Sequence, residues 1–171
     1  MNSKIKAVFL DRDGVINIDK SYVCKIEDFE FSDGVFEVLR RFQENGYKLF
    51  VVTNQSGIGR GYYSEEDFQV LTSYMLDALK QEGIYIEKVY HCPHHPNLKC
   101  KCRKPEPKML LDAKKEFDID MKNSIMIGDK KSDIEVGKNA GVGKTIMISD
   151  QKEPLADICV KNIKELKELL F

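Results

Sequence analysis

An apolar run, Ala7-Val-Phe-Leu10, ends in two aspartates one residue apart, Asp11 and Asp13, with Gly14 directly behind them. In an extended chain residues i and i+2 point the same way, so both carboxylates face one site. Carboxylates placed like this can hold a divalent cation, or one can attack phosphorus while the other moves protons. The design recurs twice. Lys48-Leu-Phe-Val-Val52 runs into Thr53, Asn54, Gln55 and Ser56, with Gly57, Gly59 and Gly61 loosening the loop behind. Ser124-Ile-Met-Ile127 runs into Gly128, Asp129 and Lys130. Three polar strand ends converge if the strands lie parallel in one sheet, at whose carboxyl edge open α/β sheets bind ligands. Three carboxylates for a cation, with a threonine and lysines for phosphate oxygens, suit phosphoryl transfer, because such catalysis is mostly positioning and charge neutralisation.

A second cluster lies between these strand ends. Cys92, Cys100 and Cys102 crowd into eleven residues together with His91, His94 and His95. Three thiolates and an imidazole make a closed tetrahedral zinc site, structural rather than catalytic because no coordination position stays open. Arg103 and Lys104 follow the last cysteine directly, so such a metal would hold two cations over the strand ends. A guanidinium fork matches phosphate geometry, which makes Arg103 the candidate for a second phosphate.

The elements that must position these residues alternate between strand and helix, the pattern of a doubly wound parallel sheet. Val35, Val38, Leu39 and Phe42 mark one face of a helix that Gly46 ends. Ser64-Glu-Glu-Asp67 reads as a helix cap, and Phe68, Leu71, Met75 and Leu79 as the inner stripe behind it. Lys88-Val-Tyr-His91 is a strand leading into the cysteines, and Met109, Leu110, Ala113 and Phe117 form the next helix. A strand over 144–148 and a helix over 163–170 complete the sheet and cover it. The expectation is an α/β, three-layer doubly wound parallel sheet: one domain over 1–171, a zinc loop at about 91–105 and no large cap domain.

Composition bounds the partners. At 171 residues the chain suits one domain with a real core, and 27 lysines and arginines against 28 acids give no basic face for nucleic acid or a membrane surface. No apolar run approaches the roughly 20 residues of a membrane span, and the amino terminus lacks a signal-peptide core. The expectation is a cytoplasmic monomer whose partner is a small molecule.

The Asp-x-Asp-Gly, strand-end Thr, Lys and Gly-Asp motifs, in this order and over nearly the whole chain, resemble those of the haloacid-dehalogenase-like phosphatases. Within that superfamily, Asp11-Arg-Asp-Gly-Val-Ile-Asn17, Thr53-Asn-Gln-Ser-Gly-Ile-Gly-Arg-Gly61, Cys92-Pro-His-His-Pro96, Cys100-Lys-Cys-Arg-Lys-Pro105 and Gly128-Asp-Lys130 are similar to the heptose bisphosphate 7-phosphatase branch. The resemblance implies that Asp11 is the nucleophile and Asp13 the general acid and base. It implies magnesium on the Asp11 carboxylate, the Asp13 carbonyl and Asp129, and structural zinc on Cys92, His94, Cys100 and Cys102. Thr53 and Lys104 would bind the transferred phosphoryl group. Substrate would meet Arg12, Asp19, Lys20, Ser21, Tyr22, Asn54, Gln55, Ser56, Arg103 and Lys130.

Asp133 would orient Lys130 or a metal-bound water, or cap the following helix. The activity implied is removal of the 7-phosphate from a phosphosugar that feeds nucleotide-activated heptose synthesis for surface glycans. The short stretch between His94 and Cys100 resembles the related histidinol-phosphate phosphatases, which supply the alternative substrate. A silent phosphosugar-binding module on the same fold is the alternative of another class.

Overall fold

The computed structural model describes residues 3–171. Six strands form one sheet in the order β3-β2-β1-β4-β5-β6, every neighbouring pair parallel: β1 Lys6–Leu10, β2 Tyr47–Asn54, β3 Ile86–Cys92, β4 Ile125–Gly128, β5 Lys144–Ile148 and β6 Ile158–Val160. The connecting helices are α1 Val35–Glu44, the single turn α2 Ser56–Gly59, α3 Glu65–Gln81, α4 Lys108–Phe117, α5 Lys131–Asn139 and α6 Leu166–Leu170.

Strand pleating sorts the core onto two faces. Val8, Leu10, Leu49, Val51, Ile125, Ile127 and Ile146 pack with α1, α3 and α6 through Leu39, Phe42, Leu71, Met75 and Leu166. Ala7, Phe9, Phe50, Val52 and Met126 pack with α4 and α5 through Met109, Leu110, Ala113 and Val136. Covering both faces is what lets β1 and β2 read as unbroken apolar runs instead of alternating ones. The result is the three-layer arrangement that the sequence pattern implies.

Chain direction from the sheet centre creates the site. From β1 the chain steps outward through β2 and β3, and it then crosses back to place β4 on the other flank of β1. The carboxyl ends of β1 and β4 therefore meet at the switch point where such sheets open a crevice. Asp11 leaves β1 there, its N–H bonded to the Ile127 carbonyl oxygen at 3.0 Å. The chain then turns sharply, with the N–H groups of Val15, Ile16 and Asn17 all directed at the Arg12 carbonyl oxygen.

The predicted cap at Ser64 is present as a reciprocal box: the Asp67 N–H donates to Ser64 Oγ at 3.0 Å and the Ser64 N–H to Asp67 Oδ2 at 2.9 Å. The carboxyl-terminal segment differs from the expected single helix. It is a 3₁₀ turn, Ile163–Glu165, followed by α6, and the short β6 that precedes it closes the sheet. Three residues are too few for periodicity to register a strand. Among the described residues no helix is long and apolar enough to cross a membrane.

Candidate active site

Asp11, at the end of β1, is nearly fully buried and meets an amine brought from far along the chain. Lys104 Nζ donates to Asp11 Oδ1 at 3.0 Å, to Asp133 Oδ1 at 2.7 Å and to the Val52 carbonyl oxygen at 2.8 Å, which uses all three of its hydrogens. The Lys104 backbone is clamped as well. Asn54 at the end of β2 accepts from the Lys104 N–H at 3.0 Å and donates to its carbonyl oxygen at 3.3 Å. Burial alone would push the Lys104 amine down, but Asp11 and Asp133 outweigh it and hold the amine above its ordinary value, so it stays cationic.

Carboxylate charge nevertheless exceeds what this amine neutralises. Asp11, Asp129 and Asp133 can bring one oxygen each within 4.8 Å of one another. Burial raises Asp11 well above its usual range, and Asp133 adds to the effect while Lys104 opposes it. Burial, followed by the charge of Asp133, pushes Asp129 up to about 6. Oδ1 of Asp129 is buried and has no hydrogen-bond partner among the described residues, which leaves it available to a cation. Gly14, with φ +88°, permits this approach: a Cβ there would overlap the Asp129 carboxylate. Hard oxygen donors clustered like this fit a divalent cation such as magnesium.

Asp13 faces the same cleft but belongs to a separate network. Its carboxylate accepts from Arg12 Nη2 at 3.0 and 3.1 Å, from Asn17 Nδ2 at 3.0 Å and from Gln55 Nε2 at 3.1 Å. The cleft, about 410 Å³, is walled by Asp11, Asp13, Asp19, Ser21, Tyr22, Asn54, Gln55, Ser56, Arg103, Lys104 and Lys130. Lys130, exposed to solvent, is kept above its ordinary value because Asp129 and Asp11 outweigh the effect of burial.

A second donor set lies in the loop after β3. Cys92 Sγ sits 3.0 Å from Cys102 Sγ, 3.6 Å from Cys100 Sγ and 3.4 Å from His94 Nδ1, and His94 Nδ1 lies 3.2 Å from Cys102 Sγ. Four soft donors closing on one point, with no disulfide among them, fit a tetrahedral zinc. His91 is turned away from this set, bonded to Glu65 at 2.7 Å and stacked on Phe68, so it joins β3 to α3.

A haloacid dehalogenase-like hydrolase family model matches residues 17–141. The chain belongs to the haloacid dehalogenase-like hydrolases. It is 56% identical over 167 residues to the D-glycero-alpha-D-manno-heptose-1,7-bisphosphate 7-phosphatase of Campylobacter jejuni, covering 98% of this chain and 95% of that protein. It is 48% identical over 164 residues to the D-glycero-beta-D-manno-heptose-1,7-bisphosphate 7-phosphatase of Helicobacter pylori strain J99, covering 94% of each. The solved D,D-heptose 1,7-bisphosphate phosphatase of B. bronchiseptica, complexed with magnesium and phosphate, superposes with a TM-score of 0.86. Its sequence identity is 26%, with 97% of this chain and 98% of that chain covered. This haloacid dehalogenase-like hydrolase is a phosphomonoesterase.

Two of the residues expected at the substrate, Arg12 and Lys20, are not among those lining the cleft. Arg12 points into the core, with its guanidinium carbon 6.0 Å from the centroids of both Phe29 and Phe68 and Nη2 on the Val23 carbonyl oxygen at 2.8 Å. Its link to the cleft is indirect, through Nη2 on the Asp13 carboxylate at 3.0 and 3.1 Å. Lys20 turns outward to Glu30 at 3.0 Å. Thr53, expected at the transferred phosphoryl group, is fully buried near the end of β2, its hydroxyl accepting from Gln55 Nε2 at 2.9 Å.

Asp133 does one of the things considered for it, capping α5, and one that was not, holding Lys104. It accepts from the Lys130 N–H at 3.1 Å at the start of α5, and it holds Lys104 rather than orienting the Lys130 amine. Sequence reading missed Asn17 and Tyr63. Asn17 carries a weak signal in its place four residues after Asp13, whereas Tyr63 carries none.

The folded protein holds a proton on Asp129 more tightly than the unfolded chain does. In magnesium-free buffer that contribution to stability is therefore present at low pH and lost as pH rises through about 6. Millimolar magnesium is expected to raise the thermal unfolding midpoint clearly at pH 7.5 and very little at pH 4.5. An equal rise at both pH values would place the cation away from this cluster.

Proposed function

We propose that this hydrolase removes the 7-phosphate of D-glycero-D-manno-heptose 1,7-bisphosphate, leaving the 1-phosphate for nucleotide activation of the heptose. The observation that carries the chemistry is the contact of Asp11 with Lys104 on the cleft floor. Both hydrogen bonds that the Asp11 side chain accepts, from Lys104 Nζ and from the Arg12 N–H at 2.9 Å, fall on Oδ1. Oδ2 is left to attack the phosphorus in line. The bond from phosphorus to the sugar oxygen breaks, that oxygen takes a proton from Asp13, and an aspartyl-phosphate forms on Asp11. Asp13 then takes a proton from water, which attacks the same phosphorus and releases phosphate and the Asp11 carboxylate.

The other residues prepare this exchange. Lys104 supports the phosphoryl oxygens and opposes the effect of burial on Asp11. Asp11, the Asp13 carbonyl and Asp129 would hold magnesium, which when bound neutralises carboxylate charge that would otherwise repel the phosphate dianion. Arg103, which lines the cleft and whose buried Nη1 has no partner among the described residues, suits the second phosphate. Asp19, Ser21, Tyr22 and Ser56 line the sugar's path. Cys92, His94, Cys100 and Cys102 would hold zinc, which ties the loop that delivers Arg103 and Lys104. We assign the protein to the cytoplasm, where such thiols stay reduced, and read it as a monomeric single-domain enzyme.

Phosphate release with magnesium from both anomers of the heptose bisphosphate and from histidinol phosphate tests the reading. The expected result is a kcat/KM for one anomer at least about a hundredfold above that for histidinol phosphate, within the usual enzymatic range. Asp11→Asn should lose more than about 10³-fold. Preference for histidinol phosphate, or an active Asp11→Asn protein, would overturn it.

Elemental analysis should find about one zinc per chain, lost in Cys102→Ser together with most of kcat/KM. A zinc-free protein of full activity would remove zinc from the mechanism.

A further inference from the structure

Gln55, at the end of β2, is almost completely buried and joins two groups of the reaction. Its Nε2 donates to Asp13 Oδ2 at 3.1 Å and to Thr53 Oγ1 at 2.9 Å, so both amide hydrogens are used. Its Oε1 accepts the hydroxyl hydrogen of Tyr63. A carboxamide has a donor end and an acceptor end of nearly the same shape, and its surroundings decide which end points where. Turned over, Gln55 would set its carbonyl oxygen against the Asp13 carboxylate, acceptor against acceptor.

Tyr63 is built to prevent that turn. It is buried beside the cleft, and its ring packs on Gly57 so closely that a Cβ there would overlap it. Burial pushes the phenol up to about 12, so the O–H remains a donor at neutral pH. With one Thr53 lone pair taken by Gln55, the Thr53 hydrogen keeps only a long 3.5 Å contact to the Asn54 carbonyl oxygen. It is therefore free to turn toward an incoming phosphoryl oxygen.

We propose that Tyr63 is a positioning residue, acting through Gln55 to hold Asp13 in its working orientation. The proposal rests on the phosphatase reading above, in which Asp13 protonates the leaving sugar oxygen. Removing the Tyr63 hydroxyl leaves the Gln55 carbonyl buried without a partner and releases the amide. Proton transfer then suffers more than substrate binding.

The test is Tyr63→Phe, which keeps the ring against Gly57, assayed on the heptose bisphosphate and on p-nitrophenyl phosphate, whose leaving oxygen needs no proton. On the sugar phosphate kcat should fall about tenfold, part of the 10²–10⁴ that general acid catalysis supplies, with KM changed less than about threefold. On the aryl phosphate the loss in kcat/KM, which reports only the step that forms the aspartyl-phosphate and not the later hydrolysis that also uses Asp13, should be under about threefold. In a Gln55→Leu background the same change should cost nothing further.

Equal losses on both substrates with a lowered unfolding midpoint would make Tyr63 merely structural, and a raised KM with kcat kept would make it a substrate contact. Either result overturns the proposal. Asp13→Asn on the same two substrates separates the layers. If it lacks the larger loss on the sugar phosphate, the role of Asp13 falls, and the proposal with it. If it shows that loss while Tyr63→Phe does not, only the proposal falls.

Discussion

A lysine amine buried between two buried carboxylates is the interaction on which the site depends. Taking Lys104, Asp11 and Asp133 out of water costs several kcal/mol per ion, and only close pairing with every hydrogen satisfied repays it. The geometry meets that demand, since Nζ spends its three hydrogens on Asp11, Asp133 and the Val52 carbonyl oxygen. The same pairing fixes which oxygen of Asp11 is engaged and which is left for chemistry. With Asp129 added, the cluster carries more negative charge than Lys104 balances, and a divalent cation completes it.

Much of the remaining architecture serves to bring these groups together across long stretches of chain. Asp11 and Lys104 lie 93 residues apart, and Lys104 and Asp133 lie 29 apart. The parallel sheet supplies Asp11 and Asp129 from adjacent strand ends and Asp133 from the first turn of α5. Lys104 comes from no regular element, so its loop needs other anchors. Asn54 clamps its backbone from β2, and the cysteine and histidine cluster ties the chain two residues before it. A basic loop with little core of its own is thereby fixed over the strand ends.

Legibility from sequence followed the physics of each residue. Asp11, Asp13, Asp129 and the strands beneath them were readable because a doubly covered parallel strand is an unbroken apolar run, and a carboxylate at its end marks where the chain leaves the core. The cysteine and histidine cluster was readable because its members are close in sequence, the family resemblance singled out Cys92, His94, Cys100 and Cys102 as the zinc candidates, and the structure brings those four together. Arg12 and Lys20 adjoin the cleft residues in sequence without lining the cleft, because the turn that follows β1 directs Arg12 into the core near Phe29 and Phe68 and Lys20 pairs with Glu30. Asn54 was expected at the substrate and does line the cleft, yet its side chain is engaged with the Lys104 backbone. Tyr63 was unreadable because its partner Gln55 is eight residues away across a loop whose path no periodicity describes.

The central claim, that Asp11 is the group phosphorylated during turnover, is tested most directly by rapid acid quench of the enzyme with substrate labelled in the 7-phosphate. The expected result is label recovered on the peptide that contains Asp11, at up to about one equivalent per chain and lost on mild alkali, as an acyl phosphate should be. Label on another residue, or full turnover with no labelled protein at any quench time, would contradict it.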